Sequence, residues 1–413
     1  MFFAKSSSLL ICFTLFLIQP SDQANILSNF GGSLKNIFGK VTQRIGNVFG
    51  AVTSTFQSPM TKAMRTAKTN EFIEYYGYLA EVHNVVTEDG YILTIFRCNS
   101  KRQTFGEKKV VVLQHGFTPS SDDFVMARQS LAYVLADAGY DVWLPNSRGN
   151  FYSRKHTTLS TKQSEFWDFS YYEVGVYDYP AILNYIMNAT KRSSVYVAAH
   201  SMGTTAMMIL LSERPEYNNF IRAASFLAPV GYFKHPDPVL HALSRFRAVV
   251  EPFKHKELYP RRVSRSTTWF CDMGLENVCN DILDIVTGQS EHQRDKKMVP
   301  TFVAHTPSGT SVKILLHYAQ AIRYGNFGKF MVDSSVTPNF ELGRIRAPIM
   351  TIHSTTDRFA TPQDVDYIMS MINNSMKYVH LINDTEFNHI DFLWGIDAPQ
   401  LVYSKILRAL SSS

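Results

Sequence analysis

The chain has 413 residues, of which 45% are apolar, and it carries 41 basic and 35 acidic side chains for a formal net charge of +6. This length and apolar content exclude a disordered or fibrous chain and are sufficient for a large buried core. The small excess of positive charge, without a long run of lysine and arginine, gives no indication of nucleic-acid binding.

The first 24 residues have the organisation of a secretory signal peptide. Lys5 precedes an apolar run from Leu9 to Ile18, and Pro20 with small or polar residues follows, so cleavage is expected between Ser21 and Ala24. A signal anchor is the alternative, but the apolar run is short for a membrane span. The sequence therefore predicts export.

Export exposes a chain to glycosylation and to oxidising conditions. Three Asn-x-Ser/Thr sequons, at Asn188, Asn373 and Asn383, are candidate glycan sites. Cys271 and Cys279 are close enough in sequence to form a small disulfide loop, and this pairing leaves Cys98 as an unpaired, buried thiol.

Residues 25–69 are predicted to form a separate N-terminal leader. From Ile26 to Phe56 apolar residues recur at intervals of three and four, which is typical of an amphipathic helix. Glycines inside this stretch each lower helix stability by about 1 kcal/mol relative to alanine. The leader either adsorbs to lipid, as a peripheral membrane contact, or is a flexible leader or a helix docked on the main domain.

Residues 70–413 are predicted to form an α/β domain with a mostly parallel central sheet covered by helices on both faces. A hairpin signal, Asp89-Gly90, separates the first two strands, and short apolar strands then alternate with amphipathic helices. The predicted strands are 80–87, 91–98, 109–114, 140–144, 195–199, 223–227, 348–353 and 377–382, and the predicted helices are 124–139, 170–188 and 202–213.

Residues 235–330 interrupt this alternation. The segment has helical and irregular patterns without good strands, and it contains the cysteine pair. An insertion between two strands of such a sheet is expected to form a cap over the carboxyl edge of the sheet, where it would line an apolar acyl site.

The stretch from Val195 to Met208 indicates a nucleophile. An apolar strand changes abruptly into a helix around Ser201, as in the G-x-S-x-G nucleophile elbow, in which a strained turn pushes the serine out of the sheet. Ala199 replaces the first glycine of this pattern, and Gly203 is in place. The alternative is that Ser201 only caps the helix.

A serine nucleophile requires a histidine base and a carboxylate that orients the base, in the chain order Ser, Asp or Glu, His for this arrangement. Asp357 follows the predicted strand 348–353, and His389 follows the predicted strand 377–382. Both residues therefore occur where the arrangement requires them.

Other assignments of these roles remain open at the level of sequence. Asp357 could instead cap the helix that begins near Pro362, and His389 could be an ordinary surface histidine. The alternative acids are Asp364 and Asp384, and the alternative base is His353.

A tetrahedral intermediate also needs oxyanion donors. The candidates are the backbone N–H groups of Phe117, which follows His115-Gly116 after an early strand, and of Met202, the residue after the nucleophile. A plain turn is the alternative for His115-Gly116. The 13 histidines and four cysteines do not form metal-binding motifs and there is no glycine-rich phosphate loop, so no metal or cofactor is expected.

Several ordered blocks resemble those of the acid lipases, the group that includes gastric and lysosomal lipases and many secreted insect proteins. The blocks are HG at 115–116, VWLPNSRGN at 142–150, FWDFS at 166–170, YDYPA at 177–181, AHSMGTT at 199–205, AHTPSGTS at 304–311 and HIDF at 389–392. The resemblance extends from about residue 70 to residue 410. It implies an α/β-hydrolase fold with a lid, acting on neutral lipid esters such as acylglycerols or sterol esters at a lipid–water interface, without a cofactor.

The resemblance also assigns the site by position. Ser201, Asp357 and His389 correspond to the triad of the family, and Phe117 and Met202 correspond to its oxyanion donors. Two alternatives of different class are a non-catalytic lipid carrier on the same fold and a carboxylesterase for small soluble esters.

This sequence departs from the usual family pattern at four positions. Ala199 and Pro145 stand where glycine is usual, Met202 stands where glutamine is usual, and Phe117 stands where leucine is usual. Backbone donation survives the changes at Met202 and Phe117, but the pocket beside the reacting carbonyl becomes bulkier and less polar.

Overall fold

The structure is a computed structural model that describes residues 63–102, 107–261, 287–288, 290–331, 337–372 and 376–411. The predicted signal peptide, most of the predicted leader, Cys271, Cys279 and Asn373 lie outside the described residues. Cys98 lies in the second strand and is buried, as predicted. Within the described ranges, no helix has both the length and the hydropathy needed to cross a membrane.

A nine-stranded sheet forms the centre of the fold. Its main path has the order β1-β2-β4-β3-β6-β7-β10-β11, with β5 paired to β2, and β8 and β9 form a separate two-stranded ladder. The strands are β1 Leu79–Val86, β2 Tyr91–Asn99, β3 Val110–Gln114, β4 Asp141–Pro145, β5 Lys155–His156, β6 Val195–His200, β7 Ile221–Leu227, β8 Glu257–Leu258, β9 Thr310–Ser311, β10 Ile349–Ser354 and β11 Lys377–Ile382.

The sheet is parallel from β4 through β3, β6, β7 and β10 to β11, and antiparallel between β1 and β2 and between β2 and β4. Every residue of β3, β6 and β10 is buried, which explains why β3 and β6 are apolar up to their last residues. The mostly parallel sheet predicted from the sequence is confirmed. Because parallel strands end at one edge, the segments after β3, β6, β10 and β11 meet there.

Twelve α-helices accompany the sheet in the part of the chain that the structure describes. They are α1 Thr69–Tyr75, α2 Leu131–Asp137, α3 Tyr171–Glu173, α4 Tyr179–Thr190, α5 Met202–Glu213, α6 Pro238–Ser244, α7 Arg247–Val250, α8 Val299–His305, α9 Val312–Tyr324, α10 Pro362–Met371, α11 Asp391–Trp394 and α12 Ser404–Ser411. The predicted helix 202–213 matches α5 at both ends.

The predicted helix 124–139 is wrong over its first half. A 3-10 turn occupies Ser121–Phe124, and the α-helix begins only at Leu131. Between them, the Ser130 hydroxyl accepts a hydrogen bond from the N–H of Ala127 at 3.0 Å. This local side-chain bond offers the backbone an alternative to helical pairing.

The predicted helix 170–188 is also interrupted. A π-helical turn at Val174–Asp178 separates α3 from α4. Pro180 follows at the start of α4 and has no N–H to donate back into this turn, so the regular helical ladder cannot continue through it.

The described part of residues 235–330 forms α6 to α9 and the β8–β9 ladder. The expectation of no strands is therefore corrected, because two strands of only two residues carry no periodic signal. This segment bonds the loops at the carboxyl edge of the sheet: the N–H of Ser308 donates to the Thr118 carbonyl oxygen at 2.7 Å, and the Asn388 amide donates to the Gly288 carbonyl oxygen at 2.6 Å.

Candidate active site

Ser201 lies on the sharp turn between β6 and α5. Its backbone has φ 54° and ψ −120°, a strained conformation for a residue with a side chain. The hydroxyl forms no capping bond to α5, so helix capping does not explain this serine. The side chain is instead free to point toward other loops at the same edge of the sheet.

The turn is possible because the residue after Met202 is glycine. A Cβ atom at Gly203 would lie 2.9 Å from the carbonyl oxygen of Gln114, at the end of β3. Ala199, which replaces the first glycine of the elbow pattern, is fully buried in β6, so its methyl group is accommodated in the packed core.

His389 and Asp357 converge on Ser201 from two other loops. His389 Nε2 lies 2.7 Å from Ser201 Oγ, and His389 Nδ1 lies 2.8 Å and 3.0 Å from the two carboxylate oxygens of Asp357. The three residues follow β6, β10 and β11, whose carboxyl ends lie at the same edge of the sheet, with β7 between β6 and β10. The structure thus brings together the three side chains that the sequence order suggested.

Backbone donors hold the Asp357 carboxylate. Its Oδ1 accepts hydrogen bonds from the N–H groups of Phe359 at 2.8 Å and Ala360 at 3.0 Å. Burial by itself would raise the pKa of Asp357, but His389 and these two donors outweigh burial and lower the pKa below its ordinary value. Asp357 therefore carries a negative charge beside the imidazole ring.

The alternative acids have other partners, and the alternative base, His353, is buried within β10. Asp364 accepts hydrogen bonds from the N–H groups of Lys234 and His235, and Asp384 accepts one from the N–H of Glu386. The cap of α10 is the Thr361 side chain and not Asp357.

The backbone N–H groups of Phe117 and Met202 lie next to the serine. A Cβ atom at Gly116 would be 3.2 Å from Ser201 Cβ and 3.6 Å from Ser201 Oγ, so Phe117 begins directly beside the hydroxyl. Met202 is the first residue of α5, and its N–H has no partner within that helix. The two residues predicted as oxyanion donors therefore both lie close to Ser201.

Two buried histidines adjoin the site, and sequence reasoning gave their side chains no role. His200 precedes Ser201, and His115 precedes Gly116. His200 Nε2 lies 2.8 Å from the His389 carbonyl oxygen, and His115 Nδ1 lies 2.8 Å from the Gly116 carbonyl oxygen. The signal in the sequence was their position next to the two motifs.

Asp391 stabilises the loop that carries His389. Its Oδ2 accepts hydrogen bonds from the Ser290 hydroxyl at 2.6 Å and from the N–H of Asn388 at 2.7 Å. Burial raises the pKa of Asp391 to about 7. A buried, hydrogen-bonded acid thus shapes the turn immediately before the histidine.

Apolar side chains lie beside Phe117. Leu258, Val312 and Leu316 form a small buried cluster, and the Phe117 ring packs against both this cluster and the main core. The ring also contacts Tyr318 edge to face at 5.8 Å between centroids. Through Phe117, the candidate site therefore adjoins a buried apolar cluster formed by residues of the insertion.

Two of the three sequons are described. Asn188 lies near the end of α4, and Asn383 follows β11; both side chains are exposed. Their positions leave room for a bulky surface modification.

Comparison with known proteins gives the family. The profile described as "Partial alpha/beta-hydrolase lipase region" matches residues 69–128, and the profile described as "alpha/beta hydrolase fold" matches residues 109–273. Lipase 1 of Drosophila melanogaster is 34% identical over 84% of this chain and 80% of its own. The human lysosomal acid lipase/cholesteryl ester hydrolase is 34% identical over 83% of this chain and 90% of its own.

Comparison of structures gives the same fold. A solved structure from Sulfolobus solfataricus superposes with a TM-score of 0.56 and 18% identity, covering 81% of this chain and 94% of that one. Together with the mostly parallel sheet, these matches confirm the predicted α/β-hydrolase fold. The chain belongs to the acid lipase family of α/β-hydrolases, and it is a lipase-type ester hydrolase.

Proposed function

We propose that the protein is a secreted serine lipase that cleaves neutral lipid esters through Ser201, His389 and Asp357. The observation that carries this proposal is the continuous pair of contacts from Ser201 Oγ through the imidazole of His389 to the Asp357 carboxylate, at 2.7 Å and 2.8 Å. This is the geometry that activates a serine hydroxyl.

In the proposed reaction, His389 Nε2 takes the proton of Ser201 while Oγ attacks the carbonyl carbon of the ester. The N–H groups of Phe117 and Met202 stabilise the resulting oxyanion. Collapse of this intermediate breaks the bond to the alcohol, which receives the proton from His389. A water molecule, deprotonated by His389, then attacks the acyl-enzyme and releases the carboxylic acid and free Ser201.

Asp357 accepts a hydrogen bond from His389 Nδ1 throughout. This bond keeps the other ring nitrogen, Nε2, available as the base, and the negative charge stabilises the imidazolium that forms. The lowered pKa of Asp357 supports this role, since the carboxylate stays ionised in mildly acidic solution.

Two observations favour a neutral lipid ester as the substrate. One of the two relatives is named a lysosomal acid lipase/cholesteryl ester hydrolase. The apolar cluster of Leu258, Val312 and Leu316 suits an acyl chain better than a polar group. We propose long-chain acylglycerols or sterol esters as substrates, and residues 235–330 as the cap over the acyl site.

We further propose that residues 1–24 are removed as a signal peptide and that the protein acts outside the cell or in a lysosome-like compartment. The lysosomal name of one relative and the exposure of Asn188 and Asn383, as candidate glycan sites, support this route. The leader before residue 70 is a candidate for contact with the lipid surface.

The test is ester hydrolysis by the secreted, full-length protein on a soluble short-chain ester and on an emulsified long-chain ester. The variants are Ser201→Ala and, as a matched control, Ser404→Ala, whose hydroxyl bonds only the Gln400 carbonyl within its own helical turn. We expect a preference for the emulsion, loss of turnover in Ser201→Ala and wild-type rates in Ser404→Ala.

Other outcomes identify the alternatives. Appreciable turnover by Ser201→Ala would refute the assignment of the nucleophile. Preference for the soluble ester would identify a carboxylesterase. Bound lipid without any turnover by the wild type would identify a carrier on the same fold.

A further inference from the structure

His115 is buried between the end of β3 and Gly116, and its tautomer is determined by its neighbours. Its Nε2 lies 3.0 Å from the N–H of Ser147 and 3.3 Å from the side-chain amide nitrogen of Asn150. The orientation of this amide is defined because Asn150 Oδ1 accepts hydrogen bonds from the N–H groups of Tyr152 and Ser153. Two donors therefore point at Nε2, and the proton of the ring must be on Nδ1.

The protonated nitrogen of His115 donates to the next residue. Nδ1 lies 2.8 Å from the carbonyl oxygen of Gly116. That oxygen belongs to the same peptide unit as the N–H of Phe117. Because a trans peptide is planar and its C=O and N–H groups point in opposite directions, a bond that holds the oxygen also fixes the direction of the N–H.

We propose that His115 is a positioning residue for the oxyanion donor at Phe117. The inference rests on the proposed function, in which that N–H stabilises the oxyanion beside Ser201. His115 is 1% exposed, and a Cβ atom at Gly116 would lie 3.2 Å from Ser201 Cβ, so the turn that carries this peptide is packed directly against the nucleophile. The ring thus preorganises the donor before substrate binds.

The electrostatics of the ring support this role. Burial lowers the pKa of His115 to about 4, although the Gly116 carbonyl acts in the opposite direction. The ring therefore remains neutral in mildly acidic solution, with Nε2 an acceptor and Nδ1 a donor.

The two ring nitrogens have separable roles, and two amide variants distinguish them. In His115→Asn the side-chain amide nitrogen takes the place of Nδ1 and keeps the donor to Gly116. In His115→Gln the side-chain oxygen takes the place of Nε2, which keeps the acceptor for Ser147 but loses the donor to Gly116. If His115 only anchored the loop to Ser147, glutamine would be the better replacement, because it keeps the acceptor for the N–H of Ser147.

The readout is the ratio of kcat/KM for a short-chain ester to kcat/KM for its thionoester, measured on the full-length wild type and both variants. Thiocarbonyl sulfur is a weaker acceptor than carbonyl oxygen, so the thionoester gains less from the oxyanion donors. The ratio does not depend on how much of a preparation is folded, because both substrates are given to the same sample.

We expect the ratio to fall by about 10-fold or more in His115→Gln and to stay within about 3-fold of the wild type in His115→Asn, given that a lost oxyanion donor costs roughly 100- to 1000-fold in kcat. An unchanged ratio in His115→Gln, or an equal fall in both variants, would overturn the inference. If the wild type and Ser201→Ala were equally inactive, the proposed function would fail first, and the positioning role with it.

Discussion

The side chain of His200 donates a hydrogen bond from Nε2 to the backbone carbonyl oxygen of His389 at 2.8 Å. The bond joins His200, the residue before the nucleophile, to His389, whose ring contacts Ser201 from the loop after β11. Burial lowers the pKa of His200 to about 3, so the ring is neutral and donates from Nε2 only. The relationship explains how two loops 188 residues apart keep Ser201 Oγ and His389 Nε2 at 2.7 Å.

Replacing His200 with alanine should lower kcat by about 10- to 100-fold, because a misplacement of the base by about 1 Å has an effect of that size. His200→Gln should retain more activity, since its amide nitrogen occupies the place of Nε2 and can still donate to the His389 carbonyl. Steady-state kinetics on a soluble ester give both values. Equal activity in the two variants would show that this bond does not position the base.

Asp357→Asn should lower kcat by roughly 1000- to 10,000-fold while the protein stays folded, because an amide no longer stabilises the imidazolium and favours the wrong tautomer of His389. The matched control is Asp384→Asn. Asp384 lies on the loop after β11, where its carboxylate accepts a hydrogen bond from the N–H of Glu386. Similar rates for the two variants would assign the acid elsewhere. Circular dichroism on both checks the fold.

Asp122 and Arg261, a residue of the insertion, form a fully buried ion pair. The guanidinium Nη1 lies 2.8 Å from Asp122 Oδ2, and the exposed fractions of the two side chains are 1% and 0%. The other carboxylate oxygen accepts hydrogen bonds from the hydroxyls of Thr69 and Tyr152, each at 2.6 Å. Asp122 is thus held ionised, with its pKa lowered by Arg261 and His305 against the opposing effect of burial.

Arg261→Gln should therefore lower the free energy of unfolding by about 3 to 5 kcal/mol, because it leaves a buried charge without its main partner. The control Arg344→Gln removes an exposed partner of Glu341 and should change the free energy of unfolding by about 1 kcal/mol or less. Urea unfolding followed by tryptophan fluorescence measures both. A small effect at Arg261 would mean that Thr69, Tyr152 and His305 suffice for Asp122.

Two buried carboxyl groups make stability depend on pH. Burial raises the pKa of Asp123 to about 8 and that of Asp391 to about 7. In the unfolded chain both would titrate near 4. A raised pKa in the folded state contributes stability that is fully present below pH about 4 and is progressively lost as pH rises to about 7 for Asp391 and about 8 for Asp123.

The melting temperature of Asp123→Asn relative to that of the wild type should consequently rise between pH 4 and pH 8, because an amide does not ionise. Glu291→Gln is the control, since its side chain is 78% exposed and should leave the slope unchanged. Calorimetry across this range measures the slope. An Asp123→Asn variant with the wild-type slope would contradict the argument.

Local patterns in the sequence were sufficient for the eight strands on the main path of the sheet and for the helix after the nucleophile, but not for the two-residue strand β5. The apolar runs of β3 and β6 are continuous because both faces of these strands are buried, and α5 begins at the predicted residue because that residue follows a forced turn. The chain order of Ser201, Asp357 and His389 likewise lies in the sequence itself.

Other features depend on individual hydrogen bonds, and some of these join residues that are far apart along the chain. The start of α2 at Leu131 was mispredicted, because the hydroxyl of Ser130 turns back to a main-chain N–H. The tautomer of His115 depends on Ser147, 32 residues away, and the anchor of His389 depends on the ring of His200. Periodicity reports which face of an element is buried, but distances between atoms of separate loops arise only when the sheet brings the ends of its strands together.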